Sequence, residues 1–144
     1  MDGSELFIGD KKTMSDKIIK DTPKYELLDN GEYQSAVEFI EEHYPETAKE
    51  FQRLQFEQYQ LFCKKQMDYG PSNIAMGTSL DTDDEKRLSK IGLIVRINDK
   101  IQRLINLVVK NNRKAQNEPT IDAFKDLACY GIIAQIVEAG KWGK

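Results

Sequence analysis

Four charged side chains in the segment RINDKIQRL recur at the spacing of one helix face. Arg96, Asp99, Lys100 and Arg103 stand at positions i, i+3, i+4 and i+7, which a helix usually gives to its buried apolar stripe. Arginine forks match the oxygens of phosphate groups, and lysine adds a point charge. The spacing therefore predicts a cationic helix face that binds phosphate through Arg96, Lys100 and Arg103.

Three carboxylates form a second ridge further along the chain. Glu118, Asp122 and Asp126 follow one another at steps of four, within a segment that is apolar almost all round, so we expect them to be partly buried and to need partners. Together with Asp99 they are candidate ligands for Mg²⁺, which prefers oxygen ligands and bridges phosphates. A salt-bridge network between the two helices would also satisfy both ridges, and the sequence leaves the two interpretations open.

A third candidate cluster lies in the segment KKQMDYG, at the end of another predicted helix, and in the loop that follows it. Lys65 adds a further cation, and a tyrosine beside a Gly/Ser/Asn loop could stack on a base. An ordinary helix terminus with a packing tyrosine has the same composition. The candidate contacts to a base or ribose are Asp68, Tyr69, Ser72, Asn73 and, on the last predicted helix, Tyr130.

Charge and composition exclude several classes of function. The 144 residues carry a net charge of −3, which argues against general nucleic-acid binding. Residues 86–114 nevertheless hold nine Lys or Arg and one acid, a balance that suits small anions or internal pairing. The single histidine, His43, leaves no Ser/His or Cys/His arrangement for nucleophilic catalysis. With no membrane-length apolar run and no signal peptide, we expect a cytoplasmic protein that does not bind membranes.

The elements that must position these residues are helices throughout. Apolar periodicity and terminus signals predict an all-α bundle of four to five helices. Expected helices cover about 32–43, 46–67, the long segment from the capping-box pair Thr82 and Glu85 to about 111, and 119–139. Residues 1–31 are expected to form an N-terminal arm or subelement, and residues 32–144 a helical nucleotide-binding domain. Within the long helix, a heptad-like apolar stripe is formed by Ile94, Ile97, Ile101, Leu104 and Val108.

The ordered motifs KKQMDYG, GLIVRINDKIQRLINL and EPTIDAFKDLACYGIIA resemble the nucleotide-modification-associated domain, first type, a small helical family of phages and bacteria. The resemblance covers about residues 60–142. A weaker similarity links the chain to MazG-type all-α nucleoside triphosphate pyrophosphohydrolases, which hold Mg²⁺ on ExxE and ExxD helices. This chain has ExxxDxxxD instead, and its ExxE at 38–41 lies far upstream. The residues that match the first family's pattern are Lys65, Asp68, Tyr69, Gly70, Arg96, Asp99, Lys100, Arg103, Glu118, Asp122, Asp126 and Tyr130.

The resemblance implies a nucleotide or nucleotide-derived ligand and, if the protein is phage-encoded, the host cytoplasm. Three hypotheses follow for its function. In the first, the protein hydrolyses a nucleotide with the help of Mg²⁺. In the second, it sequesters a nucleotide signal of host defence without catalysis. In the third, the two charge ridges only stabilise a structural, partner-binding helical bundle. Because helical bundles often build sites across a dimer, we also expect a homo-oligomer.

Overall fold

A computed structural model of the chain describes residues 31–144, with side chains from residue 35 onward. Within this range the protein is all-α, as predicted, and contains no strand. The predicted N-terminal arm lies outside the described residues, except for Gly31. The helices are α1 (Gly31–His43), α2 (Pro45–Tyr69), α3 (Ser72–Ala75), α4 (Asp83–Leu104), which continues into a π-helical segment (Ile105–Lys110), and α5 (Thr120–Glu138).

Local sequence signals explain where these helices begin and end. The predicted capping box is present at the start of α4, where Thr82 Oγ1 accepts from the Glu85 amide at 3.2 Å and the Glu85 carboxylate accepts from the Thr82 amide at 3.2 Å. After α2, Gly70 adopts a φ of +64°, a left-handed conformation that glycine reaches without a Cβ penalty. Pro71 then prevents the helix from continuing.

The described chain divides into two compact units between Phe51 and Gln52. In the first unit, the amide of Tyr44 donates to the carbonyl of Ile40 at 2.8 Å, which satisfies the last turn of α1. The ring of His43 stacks on Phe39 with a centroid distance of 4.1 Å, and its Nδ1 lies 2.9 Å from the Phe39 carbonyl oxygen. His43 therefore has a helix-end role.

The core of the second unit joins four helices with the C-terminal tail. Trp142 is buried, its indole Nε1 donates to the Pro71 carbonyl at 3.0 Å, and its ring meets Phe62 of α2 edge-on. This hydrogen bond satisfies the indole N–H inside an apolar environment. The tail therefore closes one end of the bundle. The buried apolar core residues here are Ile74, Ala75, Leu80, Leu93, Ile133, Val137 and Trp142.

Helices α4 and α5 pack against each other as the main helix pair, and α3 packs on α4. Ser89 of α4 is fully buried, and its hydroxyl donates to the carbonyl of Ile74 in α3 at 2.6 Å. Gly92 does not break α4. A Cβ at Gly92 would lie 3.4 Å from the Met76 sulfur, so the glycine lets that side chain pack close to the helix.

The apolar stripe predicted on α4 is divided between two environments. Ile97 and Leu104 are half-buried, whereas Ile94, Ile101 and Val108 are exposed. The helix is turned so that Arg96, Lys100 and Arg103, not this stripe, face the rest of the second unit. Among the described helices, none is long and apolar enough to span a membrane.

Candidate functional site

The two predicted charge ridges meet at Asp126. The Lys100 ammonium on α4 lies 2.8 Å from Asp126 Oδ2 on α5, and the Lys65 ammonium on α2 lies 3.5 Å from Oδ1. About a quarter of the Lys100 side chain and a fifth of the Asp126 side chain remain exposed. Charges so far removed from water require a partner. One carboxylate therefore links three helices, as the salt-bridge interpretation of the ridges predicts.

The electrostatics of Lys100 reflect this pairing. The pKa of Lys100 is raised above its usual 10.5, mainly because its ammonium donates a hydrogen bond to Asp126. Partial burial works against this rise in pKa, while electrostatic interactions with Asp126, Tyr130 and Glu118 add to it. On the same helix as Asp126, burial raises the pKa of the Cys129 thiol, so this cysteine is kept in its unreactive, protonated form.

Arg96, a predicted phosphate ligand, is engaged by the protein itself. Its Nη2 donates to the carbonyl of Asn73 at 3.1 Å. Both residues line a cavity of about 10 Å³ that also touches Ser89 and Gly92, a space on the order of one water molecule. The Oδ1 of Asn73 is buried and has no hydrogen-bond partner among the described residues. Arg96 and Asn73 thus pack α3 on α4, and the space between them is too small for a phosphate.

Arg103 has a different environment. Its Nη2 donates to the Glu118 carbonyl, and its Nη1 lies 3.4 Å from the Pro119 carbonyl. The guanidinium therefore holds the segment that leads into α5. The same residue lines an open pocket of about 260 Å³. The residues that line this arginine pocket are Arg103, Asn106, Leu107, Arg113, Ala115, Gln116 and Asn117.

The π-helical segment shapes the arginine pocket. Its wider turn brings the amide of Asn111 to the carbonyl of Asn106 at 3.2 Å, and the Asn111 side chain caps the same residue at 2.8 and 2.9 Å. Asn112 then takes a φ of +41°, a conformation that asparagine tolerates better than most residues. This reversal returns the chain so that the amide of Arg113 donates to Leu107 at 3.0 Å. π-Helical turns occur frequently at functional sites.

The predicted base and ribose contacts are not gathered in this pocket. Tyr69 is exposed at the end of α2, and Asp68 precedes it in the same turn. Ser72 begins α3, and Tyr130 is half-buried against the core of the second unit. None of these four residues lines the arginine pocket.

The predicted metal ligands are also not brought together. Asp99 is exposed on α4, whereas Asp122 is half-buried in the first turn of α5 and Asp126 is held by two ammonium groups. Among the residues that the structure describes, no three His, Cys, Asp or Glu side chains are grouped so that they could hold a metal ion. Magnesium binding by Asp99, Glu118, Asp122 and Asp126 therefore stays a prediction.

Sequence reasoning missed most of the arginine pocket. Arg113, Gln116 and Asn117 fall between the helices predicted to end near 111 and to begin at 119, and no site role was predicted for them. A signal was present, because the chain has no acid between Asp99 and Glu118 but carries Lys110, Arg113 and several amides there. No family model, no curated protein and no solved structure matches the chain. The resemblance to the nucleotide-modification-associated domain therefore stays a prediction.

Proposed function

We propose that the protein binds the phosphate groups of a nucleotide or nucleotide-derived ligand in the arginine pocket. The observation that carries this proposal is the chemistry of the pocket lining. Two arginines line it together with three residues that carry side-chain amides, and none of its lining residues is acidic. A guanidinium group can form bidentate hydrogen bonds with phosphate oxygens. Side-chain amides supply neutral donors and acceptors that fix a ligand's orientation.

Arg103 is organised for ligand binding before a ligand arrives. A guanidinium has five N–H donors, and the bonds to the Glu118 and Pro119 carbonyls use only two of them. These bonds hold the plane of the side chain, so that less conformational entropy is lost when an anion binds. We propose that the remaining donors bind phosphate oxygens.

The size of the pocket bears on the part of the ligand that it recognises. Small-molecule sites usually have volumes of about 300 to 1,000 Å³, and this pocket lies just below that range at about 260 Å³. It fits phosphate with part of a sugar, while a base would extend outward. We therefore expect stronger selectivity for phosphate number than for base identity.

Sequestration fits the pocket better than hydrolysis. A hydrolytic site needs a general base or ligands for a metal ion that activates water, and the pocket lining offers no carboxylate, histidine or cysteine. The proposed function is accordingly retention of an intact nucleotide-type ligand, as in the sequestration of a defence signal. Mg²⁺-dependent hydrolysis is the competing outcome of the experiment below.

The experiment is calorimetric titration of the full chain with inorganic phosphate and with nucleoside mono-, di- and triphosphates, first in EDTA and then in Mg²⁺. Arg113→Ala should weaken binding roughly 10- to 100-fold, the loss expected for a charge-assisted hydrogen bond. Lys114→Ala is the matched control, because Lys114 is the neighbouring exposed cation and does not line the pocket.

The ligand is recovered afterwards and analysed by chromatography. Binding in EDTA and recovery of the intact ligand would support sequestration. Conversion of the ligand to products in Mg²⁺ would instead support hydrolysis as the function. If no phosphate compound binds, or if Arg103→Ala and Arg113→Ala both leave affinity unchanged, the proposed site is wrong.

A further inference from the structure

The side-chain amide of Asn106 has a defined orientation at the arginine pocket. Asn106 is one of the residues that line this pocket, and it stands three residues after Arg103, so the two side chains share one face of the helix. The Nδ2 of Asn111 lies 2.8 Å from the main-chain carbonyl oxygen of Asn106 and 2.9 Å from its Oδ1. Together these two contacts determine which end of each amide donates.

The main-chain contact identifies the donor first. A carbonyl oxygen can only accept a hydrogen bond, so the group of Asn111 that lies beside it must be the NH₂ end of its amide. The same NH₂ group also contacts the side chain of Asn106, and an amide NH₂ cannot accept a bond from another NH₂. The end of the Asn106 amide that faces Asn111 is therefore its oxygen.

This orientation leaves the NH₂ group of Asn106 for a different partner. The main-chain carbonyl of Asn106 accepts from the main-chain amide of Asn111 at 3.2 Å and from its side chain at 2.8 Å, which uses both lone pairs of that oxygen. The Oδ1 of Asn106 accepts from Asn111 as well. What Asn106 can still donate is its Nδ2 with two N–H bonds, on a residue that is exposed at the pocket.

We infer that the NH₂ group of Asn106 binds a phosphate oxygen of the ligand beside the guanidinium of Arg103, and that Asn111 is the residue that positions it. The inference rests on the proposed phosphate site and names a further specificity-determining residue for it. An asparagine that rotates freely offers a phosphate either its NH₂ group or its oxygen, and the oxygen would face negative charge. The bond from Asn111 removes the unfavourable orientation before the ligand arrives.

The orientation of Asn106 also defines the chemical group that this part of the pocket selects. A terminal phosphate carries between one and two negative charges at neutral pH, and its oxygens are strong hydrogen-bond acceptors. Arg103, Arg113 and Asn106 offer such a group N–H donors from three side chains. An ammonium group or a base NH₂ at the same position would face another donor and stay unpaired. The pocket therefore takes the phosphate end of a nucleotide and not its base.

Exchange of the Asn106 amide for a carboxylate tests the donor directly. The full chain is titrated by calorimetry with inorganic phosphate and with nucleoside mono-, di- and triphosphates. Asn106→Asp keeps an oxygen that accepts from Asn111 but replaces the NH₂ group by a second, charged oxygen, so it should weaken binding more than about tenfold. Asn106→Ala only removes the donor and should weaken binding roughly 3- to 10-fold.

Asn98→Asp is the matched control. It introduces the same charge at an exposed asparagine of α4 that does not line the pocket. Asn98 stands about 12 Å from Asn106 along the helix, which exceeds the Debye length of about 8 Å at physiological salt. Its affinity should therefore stay within about twofold of the wild-type value. Equal losses in Asn98→Asp and Asn106→Asp would overturn the inference, because added charge alone would explain both.

A double-mutant cycle separates positioning by Asn111 from a purely structural role. Asn111→Ala should weaken binding about two- to fivefold. This effect should vanish in a chain that already carries Asn106→Ala, because no NH₂ group is left to orient. A structural role would persist in that background, since the main-chain carbonyl of residue 106 would still be present to accept from Asn111. Additive losses would therefore overturn the positioning role.

The NH₂ signal of Asn106 gives a spectroscopic check. In ¹⁵N-labelled protein the signal is identified by its loss in Asn106→Asp. It should shift when the tightest-binding phosphate compound is added, whereas the NH₂ signal of Asn98 should stay in place. An unshifted Asn106 signal, or full affinity in Asn106→Asp, would overturn the inference and leave the proposed phosphate site standing. If no phosphate compound binds the wild type, the proposed function is wrong, and this inference with it.

Discussion

The Lys100 ammonium lies 2.8 Å from the Oδ2 of Asp126, and this contact is where the cationic and acidic ridges of the protein meet. Lys65 reaches the other oxygen of the same carboxylate at 3.5 Å. The cationic ridge, predicted to bind phosphate, and the acidic ridge, predicted to bind Mg²⁺, thus neutralise each other at this contact. The cations that remain for a ligand lie further along, at Arg103 and Arg113.

Asp126→Asn should destabilise the fold. The substitution keeps the size of the side chain but leaves the largely buried Lys100 without its counter-charge, so we expect a loss of about 1 to 3 kcal/mol in the free energy of unfolding. Urea denaturation measures this change. Glu138→Gln is the control, because the pair of Glu138 with Lys90 is exposed and such pairs contribute little. Equal effects of the two variants would contradict the assigned role of Asp126.

The stability of the protein should fall at high pH through Lys100. The pKa of Lys100 in the folded chain is raised above 10.5, so folding favours its protonated form. The resulting stabilisation is complete below about pH 10.5 and is lost as the pH rises through the folded-state pKa. Free energies of unfolding measured between about pH 9 and pH 12 should therefore decline less steeply for Lys100→Met than for the wild type. Parallel curves would show that another group is responsible.

Arg103→Lys should weaken ligand binding although it keeps the charge. A lysine ammonium cannot hold the Glu118 and Pro119 carbonyls and also present a flat fork to phosphate. We expect about a tenfold loss of phosphate-ligand affinity by calorimetry, together with a lower melting temperature. Arg87→Lys, an exposed change of the same type on α4, should leave both quantities unchanged. Full affinity in Arg103→Lys would mean that its charge alone matters.

Ser89→Ala should loosen the packing of α3 on α4. The buried Ser89 hydroxyl donates to the Ile74 carbonyl at 2.6 Å, and its removal leaves a buried acceptor unsatisfied at a cost of about 1 to 3 kcal/mol. Hydrogen exchange at Gly77 and Thr78, whose amides close the turn after α3, should become faster. Ser72→Ala is the control, because Ser72 is exposed at the start of α3. Its free energy of unfolding should stay within about 0.5 kcal/mol of the wild-type value.

Much of the fold could be predicted because helix termini depend on local chemistry. Pro45, Gly70 with Pro71, the Thr82–Glu85 capping box and Pro119 each act within a few residues. The four long helices begin and end close to the predicted positions, whereas the short helix α3 was not predicted. The π-helical segment was not predicted. Its distinguishing hydrogen bonds run from Asn111 to Asn106, five residues back, whereas the α-helical spacing used for prediction assumes four.

The sequence by itself determined that Arg96, Lys100 and Arg103 share one helix face, because helical periodicity follows directly from spacing. Only the tertiary structure decided what each of them meets. Arg96 reaches a carbonyl of α3, Lys100 a carboxylate of α5, and Arg103 an open pocket. These three outcomes depend on which segments pack beside successive turns of one helix. Periodicity orients a side chain relative to its own helix axis, whereas its partner is set by chain segments far away in sequence.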